Sequence, residues 1–374
     1  MAASTRRPYN AAILAAFVAL SVAGAWFMRI NIVMNKVPVG FKEVIASGVL
    51  PNGTPIKKHY TGIAPLDGMV SFLVAAFVYG PTGWNEPFFW QQLHFLVQIT
   101  PMIAVLNVEA CRERNRGSWV KYTAVLALLY QNIGGAVIVP FWWLLLHKIS
   151  AEKSYFSSGR AVPLPYVSAL LPATIFLYVI PTLAIYVPGK STSALQTILG
   201  FWQFTPIIVN APLWIASFYV SSEPSPPSKS SNEDDQTHLK VLYAATFVIS
   251  TAVHWVVIIG ILTSSNPEVT FSSVFLPSLA TWKTTIDYGF LWIFQWDWII
   301  CAMLYLLPAW IAIYDVQRLL YGAATSVQLI KGAGAIAALT LLGGPGAALS
   351  GVWGWREEKL AVIEQRLSSG KKKL

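Results

Sequence analysis

Hydrophobic residues gather into long runs along almost the whole chain, and polar residues are mostly confined to the connections between them. Each run is close to the length that an α-helix needs to cross a lipid bilayer. The runs cover residues 10–29, 63–80, 88–110, 120–146, 164–187, 195–220, 240–263, 289–313 and 329–350. The pattern predicts an all-α, polytopic transmembrane helix bundle with about nine spans, within a range of about eight to ten.

The composition agrees with this class of protein. Of the 374 residues, 55% are hydrophobic and only 11% are charged, and the mean hydropathy is +0.55. No stretch remains that could fold as a sizeable soluble domain, so residues 1–374 are predicted to form a single transmembrane domain in a lipid bilayer. Cys111 and Cys301 lie at or inside the runs, which argues against a disulfide framework and a cysteine metal cluster.

The net charge of +9 is spread over loops and the C-terminal tail, so it does not indicate a nucleic-acid partner. With nine spans and a lumenal N-terminus, 17 of the 26 Lys and Arg residues fall on the cytosolic side, as the positive-inside rule requires. They lie in Arg29–Lys58, Arg112–Lys121, Lys190, Lys283 and Arg356–Lys373. This orientation leaves the glycosylation sequon Asn52-Gly-Thr54 in the cytosol, where we expect it to stay unmodified.

Two polar segments complete the organisation of the chain. Residues 221–238 are rich in Ser, Pro and acidic residues, which predicts a flexible loop and not a preorganised magnesium site. Residues 351–374 are predicted to form a cytosolic basic tail that ends in Lys371-Lys-Lys-Leu374. This ending resembles a dilysine retrieval signal and predicts the endoplasmic reticulum; a tail that only meets solvent or lipid is the alternative.

Three acidic residues are candidates for catalysis. Asp297 lies deep in a span, within the run Trp292-Ile-Phe-Gln-Trp-Asp-Trp298 and without a cation nearby in sequence. A carboxylate at that depth costs about 2.5 kcal/mol or more, so it faces protein or water and usually has a function. Glu109 could act as a second proton donor or form a salt bridge with Arg112. Asp67 could be an acid inside a cavity or a helix cap at the membrane interface.

Polar residues follow one face of two spans. The third span carries Gln91, His94, Gln98 and Glu109 on one face, and the sixth carries Gln196, Gln203 and Asn210. Such stripes fit two interpretations equally, the lining of a cavity or hydrogen bonds that join helices. Near the end of the eighth span, Asp315 and Arg318 are three residues apart and are predicted to pair with each other.

Several chemistries lack their usual sequence motifs here. The chain has no aspartate-rich box for magnesium and diphosphate, no Walker loop, no Gly-x-Ser-x-Gly elbow and no zinc-ligand spacing. Diphosphate ionisation, phosphoryl transfer and acyl transfer are therefore disfavoured. The remaining options are proton-initiated chemistry on a hydrophobic substrate, without metal or cofactor, or no chemistry at all.

The chain resembles the integral membrane terpene cyclases of fungal meroterpenoid biosynthesis, in particular those of the ascochlorin, ascofuranone and macrophorin pathways. The resemblance covers most of the chain and includes the segments Phe89-Trp-Gln91 to Glu109 and Gln295-Trp-Asp297 to Tyr314-Asp315. It implies a lipophilic, farnesylated aromatic or quinol substrate whose terminal epoxide or olefin is protonated before the prenyl chain closes into rings. An upstream epoxidase is the functional partner that such a substrate implies.

The residues fit this chemistry by themselves. A carboxyl group in an apolar span favours its neutral form, as a proton donor must, and aromatic faces stabilise a carbocation without quenching it. Asp297 is the first candidate for the donor, followed by Glu109 and Asp67. The candidates for substrate binding are Trp90, Gln91, His94, Gln98, Trp202, Gln203, Asn210, Trp292 and Trp296. A transporter or lipid-binding protein, or a sterol-type isomerase, remains the alternative function.

Overall fold

The computed structural model describes residues 6–220 and 229–371, with backbone only for 229–234 and 368–371. In this part of the chain the regular elements are helices, apart from two isolated bridge pairs. In chain order they are α1 (Asn10–Met34), α2 (Phe41–Ser47), α3 (Ala64–Phe77), α4 (Glu86–Cys111), α5 (Thr123–Ile133), α6 (Gly135–Ile149), α7 (Leu164–Ile185), α8 (Thr192–Ser217), α9 (Lys229–Thr263), α10 (Phe271–Phe275), α11 (Ile286–Tyr321) and α12 (Ser326–Lys371). The prediction of an all-α fold is confirmed.

Seven of these helices, α1, α4, α7, α8, α9, α11 and α12, are long and apolar enough to cross a membrane. They coincide with seven of the nine predicted spans. The run 63–80 forms only the 14-residue helix α3, and the run 120–146 is split into α5 and α6. Helix α4 is the central helix of the bundle, because 94% of its apolar stretch is buried inside the protein.

One set of connections meets at the end of the bundle that contains Arg7, called here the Arg7 end. Arg7 donates hydrogen bonds to Asp315, near the end of α11, at 2.9 Å, and to the Ser150 carbonyl, after α6, at 3.1 Å. Arg366, late in α12, donates to the Leu320 carbonyl at 3.2 Å. The beginning of α1 and the ends of α6, α11 and α12 therefore lie together.

The opposite end of the bundle contains Asn52 and is called here the Asn52 end. Asn85, just before α4, donates to Asp287 in the first turn of α11 at 2.7 Å, and Lys283 donates to Asn35 at 2.6 Å. Asn52 donates to the first residue of α8 at 2.9 Å. Helices α4 and α11 therefore run in parallel from the Asn52 end to the Arg7 end.

The predicted span 120–146 is a helical hairpin that starts and finishes at the Arg7 end. Trp142 in α6 donates to the Val120 carbonyl, just before α5, at 3.0 Å. The chain reverses at Gly134, whose φ of 115° suits glycine far better than other residues. A continuous apolar run predicts a crossing by its length alone, but Gly134-Gly135 divides this one into two arms whose tip reaches the bundle interior.

The predicted span 329–350 belongs to a second hairpin, formed by α12. Its two arms meet at Gly344, which has a φ of 83° and is followed by Pro345. The Leu339 side chain packs on Gly351 across the two arms, and the second arm returns to the Arg7 end. The predicted basic tail 351–374 is therefore helical and packed up to residue 367, with Trp353 and other side chains buried. Residues 372–374 of the dilysine ending lie outside the described residues.

These hairpins change the topology that the sequence predicts. Two of the nine predicted spans, 120–146 and 329–350, reverse direction within the bundle, and the run 63–80 starts and finishes at the Asn52 end, because Lys57 before it bonds to Gln196 and Asn85 after it bonds to Asp287. Six of the predicted spans then cross the bundle, so the beginning of α1 and the end of α12 lie at the same end. A lumenal N-terminus together with a cytosolic C-terminus does not fit this arrangement. The predicted loop 221–238 is also shorter than expected: residues 221–228 lie outside the described residues, and α9 begins at Lys229.

Buried ion pairs hold the Arg7 end together. Asp315 pairs with Arg318 at 2.7 Å, as predicted, and also with Arg7. A second group, called here the Glu109 cluster, comprises Glu109, Arg112, Arg160, Asp235, Arg356 and Glu357. Its members come from α4, α9, α12 and the connections beside them, so the cluster joins helices that are distant in sequence.

We expect the substitution Glu357→Gln to destabilise the protein by about 3–5 kcal/mol, because it leaves Arg112 and Arg160 buried without their shared carboxylate. The neighbouring Glu358→Gln should cost less than about 1 kcal/mol, since Glu358 forms a half-exposed pair with Lys240. Chemical denaturation of the purified protein in detergent measures both. Equal losses of stability would contradict this role of the cluster.

Candidate active site

A large cavity lies between α1, α3, α4, α8 and α11 and the tip of the α5–α6 hairpin; it is called here the Asp297 cavity. Its volume is about 790 Å³, within the range of cavities that enclose drug-sized ligands. Most of its wall is apolar. The exposed Lys36, Lys42 and Glu43, in and after the connection from α1 to α2, also line it and mark its opening near the Asn52 end.

Asp297 lies on the face of α11 that forms one wall of this cavity. Phe290, Phe294, Cys301 and Tyr305 line the same wall, at helical spacings of seven, three, four and eight residues from Asp297. The Asp297 carboxylate is half-buried, and it meets the cavity. The acid that the sequence singles out is therefore in a position to meet a ligand.

Trp292 and Trp296, two of the candidates for substrate binding, lie outside the cavity wall. Trp292 packs on Trp282 with ring centroids 4.6 Å apart, and Trp296 stacks on Phe27 at 3.7 Å. A helix turns by about 100° per residue, so Trp296 and Trp292, one and five residues before the acid, lie about 100° and about 140° away from it around the helix. Trp292 and Trp296 therefore do not contribute to the wall around Asp297.

The tip of the α5–α6 hairpin holds the Asp297 carboxylate. The backbone N–H of Ala136, in the first turn of α6, donates to Oδ1 at 2.7 Å, and the Cys301 thiol lies 3.7 Å from the same oxygen. Helix N-termini attract negative charge, so this position stabilises a carboxylate. A side chain at Gly135 would crowd the acid, since a Cβ atom there would lie 3.3 Å from Oδ1.

Arg29 completes the same junction from α1. Its Nε donates to the Ile133 carbonyl at 2.7 Å and so caps the end of α5, where cations are favoured. The guanidinium also interacts electrostatically with Asp297. This cation could not be predicted as a partner of Asp297, because it lies in a span more than 260 residues away.

Aromatic side chains form much of the remaining wall. Phe77 lies between Trp202 and Phe294, with ring centroids 5.4 Å and 5.0 Å away. The aromatic residues that line the cavity are Phe41, Phe72, Phe77, Phe95, Tyr130, Tyr178, Trp202, Phe290, Phe294 and Tyr305. Only Trp202 was predicted from the sequence. The residues on α11 could have been found from their helical spacing relative to Asp297.

Three tyrosines gather beside the acid. Tyr305 interacts electrostatically with Asp297, Tyr130 and Tyr178, and all three tyrosines line the cavity. Tyr178 donates its hydroxyl to the Leu96 carbonyl at 2.7 Å. The Asp297 region is thus polar, whereas the walls between it and the opening are mostly apolar.

The polar stripe of α4 joins helices and does not face the cavity. Gln91 donates to the Phe294 carbonyl at 3.0 Å, and Gln98 donates to the Ser250 carbonyl and accepts from a backbone N–H of α12. His94 lies 3.0 Å from a nitrogen of His254. A neighbouring, apolar face of α4 lines the cavity, so hydrogen bonding between helices explains this stripe.

The stripe of α8 has a similar structural use. Gln203 accepts from Gln131 at 2.6 Å, and Asn210 accepts from Thr123 at 2.7 Å, which ties α8 to α5. Neither residue lines the Asp297 cavity. Trp90 also lies away from it and donates to Glu86 at 3.1 Å.

The other two candidate acids lie away from the Asp297 cavity. Glu109 accepts from Arg356 at 2.8 Å and from Trp353 at 3.2 Å, and its carboxylate is buried in the Glu109 cluster. Asp67 borders a smaller cavity and accepts backbone hydrogen bonds from the preceding loop, including one of 2.6 Å from Thr61. Both contacts are those of structural residues. Within residues 6–220 and 235–367, no three His, Cys, Asp or Glu side chains are grouped as metal ligands.

Comparisons with known proteins identify the family. The family model described as the CtvD domain matches residues 10–361. "Terpene cyclase ascI" of Acremonium egyptiacum is 27% identical over 357 residues, which cover 91% of this chain and 90% of that protein. "Terpene cyclase DEP1" of Alternaria brassicicola is 25% identical over 366 residues, covering 87% and 96%. No solved structure matches the chain. Because the family model covers most of its length, the chain belongs to the CtvD domain family.

Proposed function

We propose that this protein is a terpene cyclase that closes the prenyl chain of a farnesylated aromatic or quinol compound in meroterpenoid biosynthesis. The observation that carries the proposal is a carboxyl group, Asp297, at the wall of an apolar cavity lined with aromatic rings. The names of similar proteins support an enzyme that cyclises terpenes. The cavity is also large enough for a chain of fifteen carbons with an aromatic head.

Asp297 is the proposed proton donor. In its protonated form it transfers the proton to the terminal epoxide oxygen; a carbon–oxygen bond of the epoxide then breaks and leaves a cation on the tertiary carbon. An internal double bond attacks this cation, and a carbon–carbon bond forms. The Ala136 N–H and Arg29 stabilise the carboxylate that remains. Protonation of a terminal olefin would start the same sequence without the epoxide.

The reaction ends when the last cation loses a proton or is captured by a hydroxyl group of the substrate, which then loses its proton. The proton returns to the carboxylate, so the product is an isomer of the substrate and Asp297 is ready for another cycle. This balance requires no metal or cofactor. Cations in transit meet the faces of residues such as Phe294, Phe77 and Trp202, which stabilise positive charge without offering a basic lone pair.

The polar head of the substrate is proposed to remain near the cavity opening, while the prenyl terminus reaches Asp297. Asn35 and Lys36 line the cavity near its opening and offer hydrogen bonds to a phenol or quinol. These residues replace the amides of the polar stripes in this role. Folding of the chain against the aromatic wall would then select which ring forms.

The proposed location is the endoplasmic reticulum membrane, with the C-terminus in the cytosol. The seven long apolar helices support a membrane protein, and the dilysine ending supports retrieval to this organelle. An epoxidised substrate implies an epoxidase that acts beforehand. A lipophilic intermediate could then pass from one enzyme to the other within the same bilayer.

Incubation of the purified protein, in detergent and without any ion gradient, with farnesyl phenols tests the proposal. Both epoxidised and non-epoxidised substrates should be supplied, and the products analysed by chromatography and mass spectrometry. We expect a cyclic product of unchanged mass from one of them. Unchanged substrate in every case would contradict a cyclase and favour a transporter.

The substitution Asp297→Asn should lower turnover by at least about 10²–10⁴-fold, since an amide cannot donate the initiating proton. The matched substitution Asp67→Asn should leave turnover per folded molecule within about threefold, because Asp67 lies outside the Asp297 cavity. Product formation by equal amounts of monodisperse protein measures both. Full activity of the Asp297 variant would rule out this acid as the donor.

The substitution Phe294→Leu should slow cyclisation by about 2- to 30-fold, which corresponds to one cation–π contact of about 0.5–2 kcal/mol. Trp296→Leu removes an aromatic ring two residues away that does not line the cavity, so it should change the rate less. Steady-state rates and product ratios distinguish the two variants. A larger effect at position 296 would show that the reacting chain lies elsewhere.

A further inference from the structure

The sequence contains a single Asn-x-Ser/Thr sequon, Asn52-Gly-Thr54, in the connection between α2 and α3. Its residues form a tight turn in which Leu50 donates to the Thr54 carbonyl at 2.8 Å and the Thr54 N–H donates to Asn52 Oδ1 at 3.1 Å. Asn52 is exposed, and nothing lies within 4 Å of the position that a Cβ atom on Gly53 would occupy. The turn is therefore open to an enzyme and to a bulky modification.

The sequon lies at the opposite end of the bundle from Arg7. Asn52 Nδ2 donates to Thr192 Oγ1 at 2.9 Å, and the Lys57 N–H donates to the Gln196 side chain at 2.8 Å. The two acceptors, Thr192 and Gln196, lie in the first turns of α8. Helix α8 runs from there to Asn210, which is bonded to Thr123 near the Arg7 end. The length of a spanning helix separates the sequon from the Arg7 end.

Basic residues are divided unequally between the two ends. Those in the connections and helix ends at the Asn52 end are Lys36, Lys42, Lys57, Lys58, Lys190 and Lys283. Those at the Arg7 end are Arg6, Arg7, Arg112, Arg114, Arg116, Lys121, Lys148, Lys153, Arg160, Arg318, Arg356, Lys359 and Arg366. The positive-inside rule assigns the more basic end to the cytosol, so the Asn52 end faces the lumen.

We propose that Asn52 carries an N-linked glycan. The donor is an oligosaccharide joined to a lipid diphosphate on the lumenal side of the membrane. The Asn52 amide nitrogen attacks the anomeric carbon of the first sugar, a carbon–nitrogen bond forms, and the bond from that carbon to the diphosphate oxygen breaks. The lipid diphosphate leaves, and the amide gives up one proton to a base of the transferring enzyme.

The folded protein accommodates this modification. A glycosylated amide keeps one N–H, which is enough to preserve the hydrogen bond from Asn52 to Thr192. The side chain is exposed, so the sugar extends into solvent and displaces no buried group. The inference does not depend on the proposed cyclase activity, because it uses only the sequon, the fold and the distribution of charge.

Expression of the full-length chain in a fungal host, followed by treatment of microsomes with an endoglycosidase that removes N-linked glycans, tests the proposal. We expect the wild-type protein to gain mobility in one discrete step on denaturing gels. The variants Asn52→Gln and Thr54→Ala should migrate at the deglycosylated position without treatment, whereas Thr54→Ser should retain the shift. A wild-type protein that endoglycosidase does not change would overturn the proposal.

Two further measurements test on which side of the membrane the Asn52 turn lies, independently of whether Asn52 is glycosylated. Glu152→Asn creates a sequon at the Arg7 end, at a residue whose contact with Arg6 is exposed; in an Asn52→Gln background it should remain unglycosylated. A membrane-impermeant maleimide should label Ser158→Cys in sealed microsomes, but Asn52→Cys only after permeabilisation. The native Cys111 and Cys301 are buried and leave a low background. Glycosylation of the Glu152 variant, or labelling at position 52 in sealed vesicles, would contradict the orientation.

Discussion

A helix that ends inside an apolar bundle must find partners for its free backbone groups, and this requirement shapes the centre of the protein. The α5–α6 hairpin has two such ends at its tip, on either side of Gly134. Arg29 donates a hydrogen bond to a carbonyl at the end of α5, and Asp297 accepts one from an N–H group at the start of α6. Each side chain carries the charge that suits the helix dipole at that end. The contacts fix the hairpin tip, shape the cavity around it and place a carboxyl group at the wall.

The same arrangement explains how one residue can be both structural and chemical. Asp297 caps the start of α6, which gives its side chain a fixed position. The N–H group that it caps also stabilises the anion left after proton transfer. The walls between the acid and the cavity opening are mostly apolar and suit a prenyl chain. Structural capping alone would also explain an acid at this position, so the aromatic wall is what supports the chemical role. Phe77, Phe294 and Trp202 supply the surfaces that a cation needs.

The length of the hydrophobic runs predicted the helical class, and the depth of Asp297 in one run singled out this acid, but neither shows the direction in which side chains point. The polar face of α4 was visible in the sequence, yet only the packing of α9, α11 and α12 shows that it bonds to neighbouring helices. Run length likewise cannot distinguish a crossing helix from a hairpin. The signals for both hairpins were present at Gly134 and Gly344, where a glycine permits the reversal. Long-range pairs such as Arg29 with Asp297 depend on tertiary structure, and no local pattern contains them.

Affinity labelling tests most directly whether the reacting end of the substrate meets Asp297. A suitable probe is a farnesyl phenol analogue with a terminal epoxide and saturated internal bonds, because no double bond is then available to attack the activated epoxide. The Asp297 carboxylate should open the ring and form an ester, which peptide mass spectrometry would locate within α11. A label on Glu109, on Asp67 or on a residue outside the Asp297 cavity would contradict the account.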